Sequence, residues 1–137
     1  PGAAMRALIA EMMADAEAFA GDARLANIAA HLRSGIAALQ KAVDWVLASY
    51  GTAPQAVHAG SVPFLRLTGI VAGGWLMAKS AAIAARRLAE GSGDGYYTAK
   101  LATAEYFAIH QLPFAAAYAA EVTGGAAATL DLDENLL

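Results

Sequence analysis

Apolar residues recur at intervals of three and four along most of the chain, the period of an amphipathic helix. Met5, Leu8, Met12, Ala16 and Phe19 form the first stripe, predicting a helix from about Ala3 to Ala20 that stops at Gly21. A second stripe, Leu25, Ile28, Leu32, Ile36, Leu39, Val43, Val46 and Tyr50, predicts a helix from about Asp22 to Tyr50. Arg24, Asn27, His31, Ser34 and Lys41 make a polar stripe beside it, and Gly51 ends it. Thr52 to Gly60 reads as a loop with room for one short turn. A third helix is expected from Ser61, a good N-cap with Pro63 in the first turn, to about Glu90. Gly91 stops it, and the run GSGDG at 91–95 is a clear breaker. The fourth pattern, Tyr97, Leu101, Ala104, Ala108, Leu112, Ala115, Ala119 and Val122, predicts a helix from about Asp94 to Thr123. Pro113 should kink that helix or loosen one of its turns. Gly124 and Gly125 end it, leaving 124–137 as an acidic, loosely ordered tail.

Four long helices joined by short loops predict an all-α fold, an antiparallel up-down four-helix bundle filling residues 1–137 as one domain. The third helix carries apolar residues on nearly all sides, among them Leu65, Ile70, Val71, Trp75 and Met77, and is expected to be the most buried. Composition agrees with helix: alanine exceeds a quarter of the chain, 58% of residues are hydrophobic and 15% charged. The longest nearly apolar run, Leu67 to Ala78, is shorter than the roughly 20 residues of a bilayer span, so membrane attachment is not expected. With no signal peptide visible, the expected location is cytoplasmic. A net charge of −3 gives no basic footprint for nucleic acid, and no cysteine is present for thiol chemistry or disulfides. The chain starts at Pro1 without a methionine, as a piece of a longer protein would.

The stretch GIVAGGWLMAK, Gly69 to Lys79, holds three glycines inside a helical pattern, where each costs about 1 kcal/mol relative to alanine. Gly69 and Gly73 are four residues apart and share a face, so close approach of another helix backbone is the expected role of Gly69, Gly73 and Gly74. The alanine pairs Ala81/Ala85 and Ala115/Ala119 would permit the same packing. A phosphate loop is rejected: Gly69 and Gly74 have its spacing, but Trp75 stands where lysine is required and no strand precedes it.

Little else in the sequence points to chemistry. His31, His58 and His110 fall on different elements and lack ligand partners at helical spacing. The Glu-x-x-His pairs of di-iron bundles do not occur. Asp131, Asp133 and Asn135 match the first ligands of a calcium loop, but Leu136 takes the position of its glycine. Arg86 and Arg87 suit a solvated helix end near the C-terminal dipole better than a phosphate site. No catalytic, cofactor-binding or metal-ligating residue is therefore assigned.

Two ordered blocks, FLRLTGIVAGGW from Phe64 to Trp75 and KLATAEYFAIHQLP from Lys100 to Pro113, followed by LDLD at Leu130 to Asp133, resemble the C-terminal accessory domain of long-form bacterial acyl-CoA dehydrogenases. Thr68 stands where that family usually has an aromatic residue, and Glu105 where it often has arginine. The resemblance implies a parent flavoenzyme that removes two hydrogens from the α and β carbons of an acyl-CoA thioester. FAD takes the hydride in that family and a carboxylate takes the α-proton, both in upstream domains. The quoted blocks lie in the appended domain, so this chain is expected to hold no cofactor itself and to support the enzyme core or a subunit interface. Its expected partners are the remainder of the parent enzyme and a second copy in a homodimer. Phe107, Phe114 and Tyr118, on the flank of the fourth helix, are the candidate interface; the same residues would otherwise widen the core. A free-standing helical module that self-associates is the alternative.

Overall fold

The computed structural model describes residues 2–133 and 135. Pro1, and Glu134, Leu136 and Leu137 of the expected tail, lie outside them, and with Leu136 the calcium-loop position. The described residues form an all-α protein with seven helices: α1 Ala3–Phe19, α2 Ala26–Ser49, α3 Pro54–Ala59, α4 Ser61–Ala89, α5 Gly95–His110, α6 Phe114–Gly124 and α7 Ala126–Leu130. The long helices follow the predicted stripes, and the differences lie at their ends and breaks.

The second helix begins four residues later than the pattern suggests. Residues 20–25 are turns, because the Asp22 side chain accepts a hydrogen bond from the Arg24 backbone N–H at 2.9 Å and its carbonyl accepts from Leu25 at 2.8 Å. An Asp competing for nearby backbone donors favours a turn over helix. Ser61 is not a cap: Phe64 donates to the Gly60 carbonyl at 3.0 Å, so Ser61 is already helical, and the loop expected before it holds the short helix α3. Gly91 does stop α4, with φ at +89°; its N–H reaches the Leu88 carbonyl and the Ser92 N–H reaches Arg87, both at 3.1 Å. That is a Schellman ending, which needs a left-handed residue at this position.

Pro113 breaks the fourth helix. It has no N–H to give, and its ring would collide with the carbonyl one turn back. The chain responds by bonding both Gln111 and Leu112 to the Phe107 carbonyl, at 2.8 and 3.2 Å, and then restarting as α6 at Phe114. The buried stripe survives the break in register: Ala104, Ala108, Leu112, Ala115, Ala119 and Val122 are all within 3% of full burial.

The core lies between α2 and α4, with α1 against one side of this pair and α5 and α6 against the other. Gly2 meets Leu47 and Arg6 pairs with Asp44 at 2.8 Å, so α1 and α2 run in opposite senses. Arg24 donates to the Ala85 carbonyl at 2.7 Å while Gly35 meets Val71, so α2 and α4 do too. The tail is not all coil, since α7 packs on α3. Buried residues are aliphatic, methionine, alanine and glycine, and no polar or charged side chain is buried among the described residues.

Leu112 sits at the centre of this packing. A Cβ placed on Gly74 of α4 would lie 2.6 Å from one Leu112 methyl, and a Cβ on Gly35 of α2 would lie 3.2 Å from the same methyl. The side chain at the Pro113 break is thus held between two glycines on two other helices. Enlarging either glycine forces the neighbour to move in a close-packed interior. Gly74→Ala is expected to destabilise the domain by about 1–3 kcal/mol, measured by thermal or denaturant unfolding. Gly69→Ala, where nothing lies within 4 Å of the new Cβ, is expected to leave stability unchanged or raise it by about 0.5–1 kcal/mol.

Candidate functional site

The glycines of the GIVAGGW stretch divide into three environments. Gly74 is buried against Leu112. Gly73 is half-buried and faces the edge of the Phe107 ring, which would lie 3.3 Å from a Cβ there. Gly69 is exposed with open space before it, which corrects the expectation of a single packing face shared with Gly73. The neighbours at Gly73 and Gly74 are side chains of α5 and the α5–α6 joint, not another helix backbone.

The aromatic flank also divides. Phe107 and Tyr118 are half-buried against the core, and Phe107 fills the space left by Gly73. Phe114 alone of the three is exposed, at 53%. Tyr106, beside the His110 ring, and Tyr96 are more exposed and were not singled out by the pattern, since both lie on the side of α5 away from its stripe.

The larger surprise is α4. Its core side holds Leu67, Val71, Ala78, Ala81 and Ala85, but its outward side is apolar as well: Val62, Leu65, Leu76 and Ile83 are 51–72% exposed. The helix is therefore not the most buried element, and Leu65, expected inside, is the most exposed of these four. Exposed single apolar residues are ordinary, but a row of them along one helix is not. By length and composition α4 could also cross a membrane, although a core helix passes the same test.

Trp75, the last residue of the first sequence block, points the other way. Its indole N–H donates to the Asp15 carboxylate of α1 at 2.7 Å, and Lys79, one turn on, reaches the same carboxylate at 3.3 Å. The Lys79 ammonium lies over the Trp75 ring, 4.4 Å from its centroid. These contacts tie α1 to α4 where aliphatic packing between them is sparse. At the adjoining end Arg24 bridges Asp22 and the last turns of α4. The hydrogen bonds from Arg24 hold the exposed Asp22 carboxyl below its usual range, and the Arg24 guanidinium is raised in return.

None of these features converges into a reaction site. His31, His58 and His110 lie on α2, α3 and α5, and no three metal-binding side chains gather among the described residues. The clefts are shallow grooves between helices, of which that between α1 and α2 measures about 380 Å³ and is lined mainly by Ile9, Ala10, Met13 and Ile36.

Comparison with known proteins decides the family. The family described as acetyl-CoA dehydrogenase C-terminal like matches residues 7–133. The chain belongs to that family. Over 101 residues, 72% of its length, this C-terminal-like domain is 43% identical to the 3-methylmercaptopropionyl-CoA dehydrogenase of Ruegeria pomeroyi. The match spans 17% of that enzyme's length. The acetyl-CoA dehydrogenase C-terminal-like match takes in both sequence blocks, and with them Trp75, Gly73, Gly74, Leu112 and Pro113.

Trp75→Phe keeps the ring but removes the donor to Asp15. It is expected to lower stability by about 1 kcal/mol, the net worth of one hydrogen bond to a charged group in a half-exposed setting, as read by denaturant unfolding. The Asp22 carboxyl is expected to titrate below the ordinary carboxylate range and to return to it in Arg24→Ala, followed by NMR of the carboxyl carbon. Because its folded value is lowered, its contribution to stability is present above the unfolded carboxylate range and lost as pH falls through the folded value.

Proposed function

We propose that this chain is the non-catalytic C-terminal domain of an FAD-dependent acyl-CoA dehydrogenase, an antiparallel up-down four-helix bundle that braces the catalytic part of the enzyme or a subunit interface. The observation that carries the reading is the family match over residues 7–133, to a family described by its C-terminal position in a dehydrogenase. The relative from Ruegeria pomeroyi, a dehydrogenase of an acyl-CoA thioester much longer than the match, supports it. On this reading FAD and the carboxylate base belong to the remainder of the parent enzyme. This chain's contribution is mechanical: it presents shaped surfaces from a rigid scaffold.

A self-associating module, pairing as a homodimer, is the second reading, favoured by Phe114, which stands exposed at 53% beside the helix break. Phe114→Ser tests it more cleanly than Phe107→Ser, because Phe107 packs on Gly73. Under this reading the chain sediments as a dimer and Phe114→Ser as a monomer.

The leading reading is tested by purifying this chain and the full-length protein that contains it. The full-length protein is expected to carry flavin absorbance and to reduce an electron acceptor when given acyl-CoA, and the isolated chain to do neither. Flavin co-purifying at stoichiometric yield with the isolated chain would overturn the proposal.

A further inference from the structure

The outward row of α4 stands apart from the core. Val62, Leu65, Gly69, Leu76 and Ile83 repeat every three, four or seven residues and so stand on one face. Over 29 residues α4 is about 43 Å long, and the row from Val62 to Ile83 covers about 32 Å of it. Its middle is a notch, since Gly69 is exposed with nothing within 4 Å of where a side chain would begin. The charge along the helix is one-sided: Arg66, Lys79, Arg86 and Arg87 and no carboxylate. Lys79 reaches Asp15, and Arg86 and Arg87 share Glu90 just beyond the helix end, at 3.9 and 3.2 Å. Arg66 has no ion pair among the described residues.

We propose that this row is the surface by which the domain docks on the remainder of its own longer polypeptide, against an apolar face rimmed by carboxylates. The proposal rests on the parent-enzyme reading above. Three observations select this occupant. The related dehydrogenase extends far beyond a match that covers 17% of it, so in such a protein the domain is tethered to a much larger body at high effective concentration. A second copy of the same face would offer Arg66 no partner, since α4 carries no carboxylate of its own. A bilayer surface would accept the cations, but fluid lipid has no use for a notch, whereas a ridge on a folded partner fills one and gains close contact.

The test uses the full-length protein. Leu76→Cys and, as a polar-surface control on α2, Lys41→Cys are each treated with a maleimide, and modification at that site is followed by mass spectrometry. Lys41 is exposed in the domain. Leu76→Cys is expected to react at least roughly tenfold more slowly than Lys41→Cys, because it is reached only when the interface opens. Gly69→Leu fills the notch from a position where a Cβ meets nothing within 4 Å, and is expected to bring the Leu76→Cys rate up to the control while flavin content and helicity stay unchanged.

Equal rates for the two thiols without Gly69→Leu would overturn the proposal. Protection that vanishes on dilution to monomer would replace it with a second copy, and protection seen only with phosphatidylglycerol vesicles would replace it with a membrane surface. Protection in a full-length protein that lacks flavin and dehydrogenase activity would keep the docking face and overturn the enzyme reading; an exposed thiol in an active flavoprotein would do the reverse.

Discussion

The seat of Leu112 between Gly35 and Gly74 is the constraint from which the rest of the packing follows. Leu112 comes from the one place where the fourth helical segment cannot continue, immediately before Pro113. Its side chain occupies the space that two absent side chains leave on α2 and α4. If α5 and α6 were one straight helix, a single stripe of alanines would face both partners and nothing would fix its position along them. The break displaces one leucine inward, and that leucine can fit only where both neighbours are glycine. The three helices are thereby registered against one another by shape, since no polar side chain is buried among the described residues to do so.

At the perimeter, polar contacts take over this task. Asp15 accepts from Trp75 and Lys79 across the α1–α4 contact, and Arg24 links the α1–α2 turn to the end of α4. Both groups are partly open to solvent, so their individual strength is modest and their directionality matters more. They place α4 with its aliphatic core side inward. Its other apolar side is then directed outward, and one helix with two apolar faces becomes a core element and a surface element at once.

The helical class, the four long segments and most buried positions were legible because helix period and burial coincide in this chain. Leu32, Ile36, Met12 and Val122 are core residues both by pattern and by burial. The pattern failed where it could not distinguish sides. Around α4 every direction is apolar, so periodicity gave no outward direction and Leu65 was assigned inside. The glycines posed the same difficulty: spacing puts Gly69 and Gly73 together, yet only the position of Phe107 separates the filled one from the open one. Gly35 gives no signal of its own, because a lone glycine in a long amphipathic helix looks like a tolerated defect and its function depends on a residue 77 positions away. The start of α2 was lost to a local competition between the Asp22 side chain and helix, which apolar spacing does not register. Family membership, by contrast, was carried by two long ordered blocks, and those lie within the matched residues 7–133.

The alanine-rich interior has a mechanical consequence. Alanine has no rotamers, and the contacts among Ala16, Ala42, Ala78, Ala81, Ala104, Ala108 and Ala119 bring helices together through short, stubby groups that cannot swing aside. Close-packed contacts of this kind leave the helices little room to shift against one another. On the proposal that the domain is joined to a larger body, movement between the two would fall at the chain connection and not within the helices.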